Sequence, residues 1–480
     1  MTSAYLAGIG DFGSTISPKP HMPGAVVIES ISPTDGRLLR EYEETGPDDV
    51  QRHVDTAVAL QKEWATVPVA ERAPHMVRAA ELLEAAREEL AVLMADEMGK
   101  PVAQGRAEVD KCAWACRHYA ENTEAILADI AIETGRTKSY VAHLPLGVVL
   151  AVMPWNFPLW QVIRFAAPAL MAGNGGILKH ASNVTGCALE IDRIFTDAGF
   201  PDGLFRTLVL PSSRVDEVLE HPGVVAATLT GSDPAGRAVA KKAGSLLKKT
   251  VLELGGSDPY LVLADADLAE AAATCATSRL INGGQSCISA KRFIVDSTVV
   301  EEFTDLLAGE MSKAVVGDPR DDETTLGPIA RIDLRDKLHD QVVNSVSAGA
   351  RLVIGGEKPD GPGAFYPPTL LAGVRDGMAV YREETFGPVA AVISAEGVEE
   401  AVAIANDSEF GLGAAIFTSD VEQGEEIAKN RLEAGACFVN ALVASDPRLP
   451  FGGIKMSGYG RELADLGMKE FLNAKTVVVG

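Results

Sequence analysis

The chain has 480 residues, 47% hydrophobic and 23% charged, with 43 Lys and Arg against 67 Asp and Glu for a net charge of −24. At roughly 150 residues per domain this length predicts two or three folded domains, and the composition excludes wholesale disorder and collagen-like or mucin-like chains. A surface this acidic repels phosphate backbones and anionic bilayers, which argues against nucleic acid and membrane partners.

The opening MTSAYLAGIGDFGSTISPKPHMPG has no basic segment followed by an apolar one, so no secretory signal is read, and its Gly, Ser and Pro predict a flexible tail over 1–24. From Pro47 to about Asn122 the apolar residues recur at three and four spacings, the pattern of successive amphipathic helices, with Gly99 closing one of them. After His143 the texture changes. The short apolar runs GVVLAVM, GGILK, FRTLVL, VAATLT, TVLEL and YLVLA alternate with helical segments, which predicts βαβ units and a doubly wound parallel sheet. A second alternating stretch begins near Gly256, and the pair Gly255-Gly256 gives the chain the freedom to leave the first sheet there. The two halves are expected to meet in a cleft at that boundary.

Six cysteines, at 112, 116, 187, 275, 287 and 437, are too sparse for a disulfide framework. No apolar run approaches the ~18 residues that span a bilayer. Both observations predict a cytoplasmic protein. Cys112 and Cys116 lie one helical turn apart, but no further Cys or His completes a metal set, so no metal is expected.

Five places have residue types that suit chemistry. Cys287, in NGGQSCISAKRF, follows two glycines on a loop that a ligand can approach closely; it reads as a nucleophile or as a small buried hydrophobe. Glu253 ends the apolar strand TVLEL, where a carboxylate is either a surface residue or a general base whose pKa is raised by burial. Asn156, between Pro154 and Pro158, is an amide in a reproducible position, suited to an oxyanion or to a turn. Lys179 ends the strand GGILK at the crevice where α/β proteins bind nucleotides, and Gly231 and Ser232 begin another strand-to-helix turn that presents N–H groups to a phosphate.

In order along the chain, PWNFP, LELGG, the GQSC that ends in Cys287, EETFGP and PFGGIKMSGYGRE resemble the aldehyde dehydrogenase superfamily from about residue 25 to the C-terminus, with its spacing of 34 between Glu253 and Cys287. The resemblance implies a Rossmann-like coenzyme domain (25–133 and 147–254), an α/β catalytic domain (255–446), and a small β extension (134–146 and 447–480) that assembles dimers or tetramers. By motif, Cys287 is the nucleophile, Glu253 the deacylation base, and Asn156 with the Cys287 N–H the oxyanion hole. The resemblance further implies that Lys179 and Glu384 would hold the two riboses of the dinucleotide, that Phe386 would pack near the nicotinamide, and that Trp155, Ser182, Gly231, Ser232 and Leu254 would complete the coenzyme site. NAD-specific members often have Glu three residues after the ribose lysine; Ser182 stands there, which implies NADP in preference to NAD. A redox switch that some members build on a second Cys is not expected, because Ser289 occupies its position.

The segment around PWNFP most resembles succinate-semialdehyde dehydrogenases of bacteria. Arg164, eight residues after Asn156 in the apolar VIRFA, is expected to lack a partner until a substrate carboxylate supplies one, with Ser445 assisting and Phe157 and Trp160 lining the tunnel. The expected reaction is oxidation of succinic semialdehyde to succinate. Its rivals are oxidation of other aliphatic aldehydes or semialdehydes, an amidase or nitrilase that uses no nucleotide, and a non-enzymatic binding role for the fold.

Overall fold

The computed structural model describes residues 27–480; the tail expected over 1–24 lies outside them. An antiparallel hairpin, Val27–Ile31 with Leu38–Glu43, precedes the helical region and is absent from the sequence reading. The helical stretch forms Pro47–Trp64, Val69–Ala85, Arg87–Met98 and Val102–Ile126. The first begins with Pro47 and two acids, Asp48 and Asp49, that suit a helix N-terminus, and it buries Val50, Val54, Ala57, Gln61 and Trp64 along one face.

A six-stranded sheet follows. In spatial order its strands are Gly458–Tyr459, Lys249–Glu253, Val224–Thr230, Val148–Met153, Gly175–His180 and Phe205–Thr207, parallel except for the first. The chain builds outward from Val148–Met153 on one side and then returns to its other side. Strand order therefore reverses beside Met153, and the crevice at the carboxyl ends of these strands is where such sheets take ligands. Trp155, Asn156, Ser182, Gly231, Ser232 and Leu254 all follow those ends, Lys179 is the penultimate residue of its strand, and Glu253 is the last residue of its own.

Between Glu253 and Pro259 the chain passes to a second sheet of seven strands. Its order is Arg351–Ile354, Thr369–Ala372, Val389–Ala395, Arg292–Asp296, Pro259–Val262, Gly413–Phe417 and Ala436–Val439, parallel apart from the first. A third sheet joins Leu472–Val479, Lys138–Pro145 and Ile130–Ala131, all antiparallel. The segment 447–480, expected as one piece of the β extension, is divided in the structure. Gly458–Tyr459 pairs with Leu252 and Glu253 of the six-stranded sheet, and only Leu472–Val479 joins the small one. Gly458 makes this possible: its φ is 112°, and a Cβ there would lie 2.0 Å from the Leu252 carbonyl oxygen.

Candidate active site

A cavity of about 210 Å³ is lined by residues of the helices Val102–Ile126 and Trp160–Met171 and of neighbouring loops, and Cys287 is on its wall. Phe157, Trp160 and Arg164 face it from the segment after Val148–Met153, Lys111 from the helix Val102–Ile126, and Ser445 and Phe451 from the C-terminal loop. Cys287 and the four residues expected to bind substrate thus share one enclosure.

The Cys287 loop is set by a turn that ordinary residues avoid. Asn282, Gly283 and Gly284 have φ values of 56°, 64° and 71°, and a Cβ on Gly284 would lie 2.3 Å from the Gly387 carbonyl oxygen. The buried Lys291, which sequence reasoning missed, holds the far side of the loop. Its Nζ donates to the carbonyls of Ser286 (3.0 Å), Cys287 (2.7 Å) and Ser289 (3.1 Å). Burial pushes the Cys287 thiol up to about 12, more than the charges of Arg164 and Lys291 draw it down. The resting sulfur is therefore a thiol at neutral pH, and its reaction needs a proton acceptor.

Asn156 is buried beside this loop. Its Nδ2 donates to the Gln285 carbonyl at 3.0 Å, and its own carbonyl accepts from Asn282 Nδ2 at 2.7 Å. One of the two Nδ2 protons is committed, and the other remains for an oxyanion near Cys287. The Cys287 backbone N–H has no acceptor among the described residues.

Glu253 is 2% exposed, and neither carboxylate oxygen has a hydrogen-bond partner among the described residues. Burial and the neighbouring Glu462 raise its pKa well above the usual carboxylate range, against the opposing pull of Arg164 and Arg461. Of the two buried carboxyls here, Glu462 is the one that pairs with Arg164.

That guanidinium corrects the expectation that Arg164 lacks a partner. Arg164 Nε forms an ion pair with Glu462, Nη2 donates to Thr230 Oγ1 at 3.1 Å, and the group lies 4.9 Å over the Phe451 ring. The apolar sequence around it concealed this because Glu462 arrives from the opposite end of the chain. Its signal was present in the GYGRE of the last motif, unassigned. Arg164→Gln is expected to leave Glu462 buried without a counter-charge, at a cost of about 3 kcal/mol or more. A calorimetric melt should show lowered stability, and activity should fall with every aldehyde tested; an unchanged melt would mean that the pair contributes nothing.

The coenzyme side of the crevice is less crowded. Trp155 and Phe386 meet edge to face at 5.6 Å. Lys179 is 7% exposed, burial lowers its pKa, and it has no acidic partner among the described residues. A buried ammonium left this way fits a polyhydroxy or anionic ligand. Ser182 opens the short 3-10 helix Ser182–Val184, and Ser232 precedes the helix Asp233–Ser245 with its hydroxyl free of any capping bond. Leu254 lies under that helix, against Gly236. Glu384 accepts from the Gly256 N–H at 3.1 Å and stands 3.8 Å from Lys291. Gly231 departs from expectation: its N–H donates to the Glu253 carbonyl at 3.0 Å and is not available to a phosphate.

The model of the aldehyde dehydrogenase family matches residues 22–477. A probable NADP-dependent succinate-semialdehyde dehydrogenase of Synechocystis is 48% identical over 94% of this chain and 99% of its own length. The NADP-dependent succinate-semialdehyde dehydrogenase of Mycobacterium avium is 49% identical over 94% of this chain and 97% of its own. Among solved structures, succinic semialdehyde dehydrogenase of Streptococcus pyogenes in complex with NADP+ superimposes with a TM-score of 0.92 at 37% identity, over 94% of this chain and 99% of that one.

Proposed function

The chain belongs to the aldehyde dehydrogenase family, and from that premise we propose that it oxidises succinic semialdehyde to succinate with NADP. The observation that carries this reading is the cavity in which Cys287 shares walls with Lys111 and Ser445. It joins a nucleophile to polar groups suited to a distant carboxylate.

The chemistry follows from the residues. Cys287 gives its proton to solvent water and its sulfur bonds to the aldehyde carbon, while the carbonyl electrons move to oxygen. The second Nδ2 proton of Asn156 and the Cys287 N–H donate to that oxyanion from pre-set positions, without the reorganisation that water would need. NADP, when bound, supplies the hydride acceptor, and Lys179, Ser182, Ser232, Glu384, Trp155 and Phe386 are the residues that would hold it. Loss of hydride from carbon leaves an acyl group on the Cys287 sulfur. Glu253, once ionised, takes a proton from water; the oxygen adds to the thioester carbon, the C–S bond breaks, and the acid departs.

An initial-rate screen tests the proposal: aldehydes with and without a terminal carboxylate, each with NADP and NAD. Succinic semialdehyde with NADP should give the highest kcat/KM. A tenfold advantage for NAD, about 1.4 kcal/mol, would overturn the reading of Ser182. Ser182→Glu should shift the preference toward NAD, because its carboxylate repels a 2′-phosphate.

The same reading includes self-assembly. The small antiparallel sheet and its flank expose Ile130, Ile132, Leu144, Val478 and Val479, apolar side chains that a partner copy would cover. Light scattering should report a dimer or tetramer; a monomer at micromolar concentration would remove this part.

A further inference from the structure

Lys111 is the one cation on the cavity wall whose charge the protein leaves uncompensated among the described residues. Its Nζ donates to Ser445 Oγ at 2.8 Å and stands 4.4 Å over the Trp160 ring. Among the described residues no carboxylate lies within ion-pair distance. Glu108, one turn earlier on the same helix, is committed to Lys100 through Oε2 and to the Leu159 and Trp160 N–H groups through Oε1, each at 2.9 Å. Asp446 is committed to Arg448 at 2.6 Å. Arg164, also on the wall, is paired with Glu462. An ordinary lysine packs its stem and sends its ammonium to water. This one sends it into the cavity that holds Cys287.

Burial draws the Lys111 ammonium down to about 8, outweighing the upward pull of Glu108 and Asp446. The whole chain has a net charge of −24, so an anionic substrate gains nothing from the global field and depends on local cations. Because Lys111 donates to the Ser445 oxygen, the hydroxyl hydrogen of Ser445 is free to donate in turn. Ammonium and hydroxyl together present two donors to the two oxygens of one carboxylate.

We propose that Lys111 is the specificity-determining cation of this site: its ammonium, held by Ser445 and the Trp160 face, receives the far carboxylate of the substrate. This rests on the function proposed above and names the residue that selects an acid-bearing aldehyde. Arg164 then acts chiefly by holding Glu462.

The test compares kcat/KM for succinic semialdehyde and butyraldehyde in the full-length enzyme. Lys111→Met keeps the bulk and removes the charge. It should raise KM for succinic semialdehyde and lower the ratio of the two kcat/KM values about ten- to a hundredfold. Lys111→Arg should retain most of the ratio. Ser445→Asp, which sets a carboxylate against the ammonium, should lower it as Lys111→Met does, and it serves if the first variant does not fold. An unchanged ratio in the folded variant overturns the assignment of Lys111 while leaving the reaction standing. A wild-type enzyme that oxidises both aldehydes equally well overturns the proposed function, and the role of Lys111 with it.

Discussion

Cys287→Ala is expected to abolish aldehyde oxidation, lowering kcat/KM by about 10^4 or more, because no other thiol is placed to substitute. Cys112, Cys116, Cys187 and Cys275 are buried, and Cys437 lies on a strand of the seven-stranded sheet, away from the cavity wall. Formation of reduced coenzyme, followed by absorbance with a melt to confirm folding, measures the loss. Full turnover in this variant would remove the covalent mechanism. A second readout is independent of coenzyme. Since burial holds the Cys287 thiol up to about 12, alkylation by iodoacetamide should be slow at neutral pH and rise about tenfold per pH unit below that value, as the thiolate fraction does. The modified peptide should be missing from Cys287→Ala.

Glu253→Gln is expected to separate the two halves of the reaction. Hydride leaves before water is needed, so the variant should release a first burst of reduced coenzyme, close to one per active site, and then turn over slowly. General-base steps typically contribute about 10^2 to 10^4, which sets the expected fall in the steady rate. The wild-type rate should also depend on pH in a definite direction. Burial and Glu462 raise the Glu253 pKa, so the carboxyl is protonated and inactive as a base below that raised value and gains activity as pH climbs through it. Glu253→Gln should lose this rise. Stopped-flow absorbance and a pH profile of kcat check both; a variant with neither burst nor altered profile would show that the base is another group.

The helices from Pro47 onward and the parallel strands after His143 were legible because their periodicity is a local property of the chain, repeated every few residues. The hairpin Val27–Ile31 with Leu38–Glu43 was not, since its strands are short and residue type does not follow burial: Ser30 is buried and Ile31 exposed. The antiparallel edge strand Arg351–Ile354 was missed for a related reason: its partner Thr369–Ala372 is separated from it by a long irregular connection, without the tight turn that marks a hairpin in sequence. In the site, Cys287, Asn156 and Glu253 stood out through their immediate neighbours. Lys111 left a weaker trace. Glu108 and Lys111 interrupt a helix whose buried residues include Val109, Cys112 and Cys116, and a charged pair near such a face signals a polar partner somewhere else in the fold.

By itself the sequence determined what neighbouring residues decide: the doubly wound strands, the loop that presents Cys287, and the glycines that let the chain leave the first sheet. The tertiary structure decided how charges are partnered, because ion pairs form across distances that no local pattern spans. Ser445 reaches Lys111 over 334 positions, and Glu462 reaches Arg164 from the final motif of the chain. An apolar run around an arginine reads as a missing counter-ion only until the fold brings a glutamate to it. A lysine on a helix reads as a solvated surface charge until the fold closes a cavity over it, where a buried charge must find a partner or a ligand.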